Sequence, residues 1–147
     1  MATKKKFELE FEGWEELAEQ FRNLGGDTNQ LTEKVLKATH EYVTPKIHEK
    51  MQTSNLPAKG KYSQGDTKKQ IIDNVNIEWF GTSATVDIGF SLDDSIVPIF
   101  LMYGTPTMNP VKGLKNAIYG TQTKNEVAEI QEQIFVEEIN RRLGNGK

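Results

Sequence analysis

The chain contains no cysteine. Disulfides, thiolate metal ligands and cysteine nucleophiles are therefore excluded, and the absence fits a reducing compartment. Apolar residues are also scarce: 36% of the 147 residues are hydrophobic, 27% are charged, and the mean hydropathy is -0.59. No run approaches the roughly 18 apolar residues that a membrane span requires. The start, MATKKKFELEFEG, is basic but lacks the apolar stretch of a signal peptide. A basic excess is missing as well, with a net charge of -3 and a pI near 5.5, whereas nucleic-acid binders usually show a basic balance or stripe. Lysines gather in only two places, Lys4 to Lys6 and the set Lys59, Lys61, Lys68 and Lys69. The ordinary reading of such runs is a solvated tail and a solvated loop. The length suits one domain, with long exposed surfaces or surfaces completed by partners.

Groups that carry chemistry are sparse too. The two histidines, His40 and His48, stand eight apart, and the zinc-protease pattern needs four. Glu41 and Glu49 are candidates for a third metal ligand only by proximity, and the spacing matches no common ligand set; two surface or boundary histidines are expected, with no metal and no cofactor. The acidic pairs Glu15-Glu16, Asp93-Asp94 and Glu137-Glu138 lie in polar stretches. They read as solvated charge, because catalytic carboxylates need environments that drive their pKa values apart. GTSATVDIGF has glycines only at Gly81 and Gly89, too few for a phosphate cradle, and Ser63 and Ser91 have no histidine partner in view. The expectation is a protein that is not an enzyme.

Periodicity supplies the elements. KFELEFEG puts Phe7, Leu9 and Phe11 on one side, as a half-buried strand does. Trp14, Leu17, Phe21 and Leu24 share a helix face that Gly25-Gly26 ends. Leu31, Val35, Ala38, Tyr42, Ile47 and Met51 trace a longer helix, capped by Asp27 or Thr28. Pro45 falls inside it and predicts a kink or break near Val43. Pro57, Gly60 and Gly65 mark a loop at 53–69, expected to be mobile and ordered by a neighbour. Ile72, Val75, Ile77 and Trp79, then Val86 and Ile88, alternate about Gly81-Thr82-Ser83, which predicts a hairpin. Ile96 to Tyr103 is a short helix or a buried turn, with Asp94 or Ser95 as its cap. The last helix is expected to open on a Thr123/Glu126 capping box, carry Glu137–Arg141 and Glu138–Arg142 pairs, and stop at Gly144. The expected fold is α+β: a small antiparallel sheet packed on a long kinked helix and a long C-terminal helix. It forms a single domain over 1–147, with a flexible basic tail at 1–6 and a flexible end at 144–147.

The least ordinary stretch is IFLMYGTPTMNPVKGLKNAIYG, Ile99 to Gly120. An apolar ledge, Ile99 to Met102, leads into Tyr103-Gly104-Thr105. Pro106 and Pro110 follow, and each fixes φ and so stiffens the loop. Gly104 allows a backbone conformation closed to other residues. A stiff loop loses little entropy on docking, which makes this a candidate interface.

This stretch resembles a signature of the minor tail or head–tail joining proteins of long-tailed phages, the gene-product-ten-like family of phage Hong Kong 97. Tyr103, Gly104 and Thr105 match the family's aromatic-Gly-Thr, Met108 and Pro110 its Met and Pro, and Ala117 the alanine of its short helix. The chain departs at Val111, where the family has Phe, and at YSQGDTKKQI, which keeps only Gly65 and Ile71 of the family's loop. The resemblance spans 7–143. It implies a structural virion part at the head–tail junction or tail end, made in the host cytoplasm. Its partners would be head-completion, tail-terminator or tail-tube proteins, and it would form a ring of six copies. The residues themselves suggest a chain that is monomeric or weakly associated alone, because its composition is too polar for a large permanent interface. A ring needs two different patches. The candidates are Tyr103, Gly104, Thr105, Pro106, Met108 and Pro110 for one, and Lys59, Lys61, Lys68 and Lys69 for the other, the lysines drawn to an acidic surface such as Glu126 to Glu138. The alternative is a small nucleic-acid-associated phage protein that uses the basic loop 59–69.

Overall fold

The computed structural model describes residues 2–52, 66–93 and 95–145. The order is β1 (Lys4–Phe7), α1 (Trp14–Asn23), α2 (Thr28–Lys50), a 3-10 turn (Asp66–Gln70), β2 (Ile77–Phe80), β3 (Ser83–Gly89), α3 (Val97–Tyr103), α4 (Leu114–Tyr119) and α5 (Thr121–Asn145). The three strands form one antiparallel sheet in the order β1-β3-β2. The fold is α+β, and its long elements are α2 and α5.

α2 begins where Asp27 accepts from the N–H groups of Asn29 (3.0 Å) and Gln30 (3.2 Å). Just before it, α1 closes with Gly26 N–H on the Phe21 carbonyl and Gly25 N–H on that of Arg22, the paired bonds of a Schellman end. The helix then runs without interruption through Pro45 to Lys50. The expected break near Val43 is therefore absent: Val43, Thr44 and Ile47 are buried around the proline, and their packing holds the turn in place. The apolar stripe on α2 was only approximate in sequence because this helix is covered from several sides, by β3, α1, α4 and α5.

Two apolar clusters meet along α2. One joins the sheet (Phe7, Val86, Ile88) to Val43, Ile47, Leu101, Leu114 and Ile118. The other joins Phe11, Phe21, Leu31, Val35, Phe135 and Ile139, with Phe11 and Phe135 edge to face at 5.2 Å. Between them lies Gln131, which is fully buried. Its amide donates to the Glu8 carbonyl (2.9 Å) and to Thr39 Oγ1 (2.9 Å), and its Oε1 accepts from Glu10 N–H (2.6 Å).

That side chain explains one correction. Phe7 and Phe11 are both buried as expected, but the strand covers Lys4–Phe7 rather than Phe7 to Phe11. The backbone groups of Glu8 and Glu10 bond to Gln131 instead of to a neighbouring strand. The expected flexible tail at 1–6 is likewise corrected. Thr3 is buried, and Lys4, Lys5 and Lys6 pair with Gly89, Ile88 and Asp87. Lys4 and Lys6 face Asp87 at 4.0 and 3.0 Å, so the basic run neutralises a buried carboxylate. Gly89 is required here, since a Cβ at that position would stand 2.3 Å from the Thr3 carbonyl oxygen.

The hairpin forms as expected, with Phe80 opposite Ser83 across Gly81-Thr82. Val75, however, lies outside β2 and is 37% exposed. The C-terminal helix differs in its details. It starts at Thr121, before the expected capping box, and the Thr123 hydroxyl donates to the Asn116 carbonyl (3.1 Å). Glu138 is buried, not solvated, and pairs with Lys34 and Arg141, while Arg142 lies over the Phe21 ring. Gly144 is helical, so the helix does not stop there as expected, and the last two residues of the expected flexible end lie outside the described residues. Among the described residues no helix is long and apolar enough to cross a membrane.

Candidate functional site

Ile96 to Tyr103 resolves into a helix, α3, whose N-cap is Ile96; Ser95 Oγ accepts only a long bond from Val97 N–H, at 3.4 Å. The ledge is half as buried as expected. Leu101 and Met102 are in the core, and Ile99 and Phe100 are half-buried. At the end of α3, Gly104 N–H donates to the Phe100 carbonyl (2.7 Å), and the chain turns at φ 78, ψ 178. This region of backbone space belongs to glycine. A Cβ there would sit 2.9 Å from both the Met108 carbonyl oxygen and Pro110 Cδ.

The loop that follows is tied at its neck and at its base. Thr105 and Met108 exchange backbone bonds at 2.8 and 3.2 Å around Pro106-Thr107, and Thr105 Oγ1 accepts from Thr107 N–H (3.3 Å). Val111 N–H then returns to the Leu101 carbonyl (2.7 Å). Met108 packs on the first core cluster and Val111 is buried, which leaves Pro106, Thr107, Asn109 and Pro110 as the exposed tip.

The candidate residues thus divide. Pro106 and Pro110 are presented outward. Tyr103, Gly104, Thr105 and Met108 are half-buried and hold the loop. Tyr103 donates its hydroxyl to the Ala2 carbonyl (2.7 Å), with the Lys115 ammonium 4.9 Å from its ring centroid. Tyr119, not singled out in sequence, does the same for the Lys4 carbonyl (2.6 Å). Burial pushes the Tyr119 phenol above its ordinary pKa, and the nearby Tyr103 adds to this. A sequence signal did exist: both tyrosines end a short helix directly before a glycine, in Tyr103-Gly104 and Tyr119-Gly120.

Lys59, Lys61 and most of the expected mobile loop lie outside the described residues. The remainder, from Asp66, forms the 3-10 turn, with Thr67 and Gln70 buried. Gln70 fastens this turn to the start of α3: its amide donates to the carbonyls of Ser91 (2.9 Å) and Ser95 (2.8 Å), and its Oε1 accepts from the Ser95 hydroxyl (2.8 Å). Lys69 is exposed and Lys68 half-buried. The turn that carries the two described lysines is thus fastened near the start of α3, and the proline loop leaves its end, the helix itself being about 10 Å long at 1.5 Å per residue. Ile96, the N-cap of α3, is exposed.

The expected acidic counter-surface is partly occupied. Glu126 accepts from Tyr42 and Lys46, and Glu138 is engaged as above. The Tyr42 hydroxyl, then Lys46, holds the Glu126 carboxyl below its usual range; the Lys34 ammonium does so for Glu138, with Arg141 adding. Of the histidines, His40 is buried rather than at the boundary, with Nε2 2.8 Å from the Ile72 carbonyl, and His48 meets Asp73 at 2.7 Å. No group of three or more His, Asp or Glu among the described residues could hold a metal ion. Comparison of the chain with protein-family models, with curated proteins and with solved structures returns no match.

Proposed function

We propose that this chain is a non-enzymatic structural component of a phage virion, placed at the head–tail junction or tail end and acting by protein–protein assembly. The observation that carries the reading is the loop Gly104 to Pro110. Its tip, Pro106, Thr107, Asn109 and Pro110, is exposed, while its neck is closed by the Thr105–Met108 bonds and its two ends are bonded to α3 through Gly104 and Val111. A docking element already held in one conformation loses little entropy on binding. The stretch is also the one whose residues resemble the head–tail joining family, and from that resemblance come the six-copy ring and the neighbours: head-completion, tail-terminator or tail-tube proteins.

The nucleic-acid reading is weaker, because Lys68 borders a groove shared with the carboxylates of Glu41 and Asp73, which do not favour a phosphate there. Electron microscopy of particles made by the encoding phage without this gene tests the proposal. Finished heads and separate tails are expected; intact infectious particles would overturn it. Steeply salt-dependent DNA binding by the isolated protein would favour the alternative.

A further inference from the structure

β2 pairs with β3 on one side, and among the described residues no strand pairs with its other side. Asn76 and Asp87 form a bonded pair, through Asp87 N–H on the Asn76 carbonyl. Bonded and non-bonded pairs alternate along an antiparallel ladder. Glu78 and Phe80 therefore bond to β3, while Ile77 and Trp79 turn their N–H and C=O groups outward. None of these outward groups has a hydrogen-bond partner among the described residues. The two residues stand about 7 Å apart along the strand. A helix spends its backbone groups internally, whereas an extended chain presents donors and acceptors at this spacing. Two side chains mark the outer face of the edge. Phe80 is 60% exposed at its end. Glu78 is half exposed; its Oε1 lies 3.4 Å from Lys6 Nζ, and its Oε2 has no partner among the described residues. Lys6 reaches it from β1, on the far side of β3, and is closer to Asp87, at 3.0 Å.

We propose that this edge takes up an extended segment of a partner protein as a further strand of the sheet, with a lysine or arginine of that segment opposite Glu78. A second copy of this chain is the poorer occupant. Antiparallel pairing of two β2 strands that uses every outward group sets Ile77 against Trp79, and so Glu78 directly against Glu78 of the partner subunit. Like charges opposite one another on one face are destabilising. Sliding the copies by two residues relieves that contact but gives up bonds, because β2 is only Ile77–Phe80. A basic side chain meets the same carboxylate from the open side, where Oε2 is unengaged. Phe80, two residues on and therefore on the same face, gives the segment an apolar neighbour. The main-chain bonds supply the attachment and Glu78 selects the partner, the usual division in strand addition. The proposal is separate from the virion assignment, since it is measured on the isolated protein.

The test is a titration of the isolated chain, followed by NMR at the backbone amides, with the blocked peptides acetyl-VTKTV-amide and acetyl-VTETV-amide. The lysine peptide should shift the amides of Ile77 and Trp79 most and slow their hydrogen exchange, with smaller changes at Glu78 and Phe80, whose amides already bond to β3. It should bind about fivefold more tightly than the glutamate peptide, the worth of one cross-strand charge pair. Glu78→Gln should abolish that preference and Glu78→Lys should reverse it, and a reversal requires an edge that is still folded. A lysine peptide methylated at both threonine nitrogens loses the donors for this edge and should not bind. No shifts at millimolar peptide, or equal binding by the methylated peptide, would overturn strand addition. Equal binding of the lysine and glutamate peptides by the native chain would overturn the basic partner. Shifts at Ile77 and Trp79 that grow with protein concentration alone would show that a second copy fills the edge, and would overturn the choice of a different protein.

Discussion

The two edges of the sheet are finished differently. At β1 the carbonyls of Ala2 and Lys4 point outward, because Thr3 between them bonds to Phe90 on the β3 side. Both are taken by tyrosine hydroxyls, from Tyr103 and Tyr119, and α4 packs alongside. At β2 the alternation turns the N–H and C=O groups of Ile77 and Trp79 outward. No strand among the described residues pairs with them, and Phe80 at the hairpin end is 60% exposed. The closed edge is held by the same α3–loop–α4 segment that carries the candidate interface. The loop is therefore rigid through more than its prolines, since the tyrosine at its root is fastened to the sheet. An unpaired edge is ordinarily a liability. Here it is kept to four residues, and its outer face carries a charge, Glu78, 3.4 Å from Lys6.

The largest expected effect lies where β1 stops. Gln131→Leu leaves the Glu8 carbonyl and the Glu10 N–H without a partner inside the protein, and leaves the Thr39 hydroxyl with only its own bond to the Val35 carbonyl. At about 1–3 kcal/mol for each buried group, the expected loss is about 3–4 kcal/mol, because water reaches some of them. Urea denaturation reads it, and a loss below about 1 kcal/mol would mean that Gln131 does not define the end of the strand. Next is Gly104→Ala, which forces a Cβ against the Met108 carbonyl and Pro110 Cδ in a conformation reserved for glycine. About 3 kcal/mol is expected, with the amides of Thr105 and Met108 losing hydrogen-exchange protection first. Uniform loss across the chain would show that the loop is not a separate unit.

These two residues also mark what the sequence could reveal. Gly104 was legible, because a glycine between an aromatic ledge and two prolines has few other reasons to be there. The α+β order, the Asp27 cap and the Gly81-Thr82 hairpin were legible for the same reason: each is a local pattern with a local cause. Gln131 was not, since its partners Glu8, Glu10 and Thr39 lie about ninety or more positions away and a glutamine on a helix reads as surface. The basic start misled in the same way. Three lysines look like a solvated tail until Asp87, distant in sequence, is seen to be buried beside two of them. Tyr103 was legible as special but not in its role, because its partner is a backbone carbonyl, which no side-chain pattern announces.

The comparison of edges is tested directly by removing one hydroxyl at a time. Tyr119→Phe and Tyr103→Phe should each cost about 1 kcal/mol, the net worth of one hydrogen bond. The sharper readout is hydrogen exchange. In either variant the amides of Lys5 and Phe7 should exchange faster, while those of Glu78 and Phe80 on the far edge stay unchanged. Equal acceleration at both edges would mean that the tyrosines stabilise the sheet as a whole rather than close one side of it.

The smallest effect is a pH limb belonging to the closed edge alone. The Tyr119 phenol has its folded pKa raised above the ordinary value of about 10, by burial first and by Tyr103 second. The folded state therefore holds the proton more tightly than the unfolded chain does, and linkage makes stability fall as pH rises. The contribution is fully present below the unfolded value and is lost as pH climbs through the folded one. The acid side has the opposite sign: the folded values of Glu126 and Glu138 are lowered, so their contribution is present above the usual carboxylate range and lost as pH falls through the folded values. Denaturation midpoints measured at about pH 9, 10 and 11, around the ordinary tyrosine value, should decline in the native chain and decline less in Tyr119→Phe, with the acid limb the same in both. If the alkaline declines are identical, the phenol at the β1 edge does not set them, and the edge is closed by packing of α4 rather than by its hydroxyl.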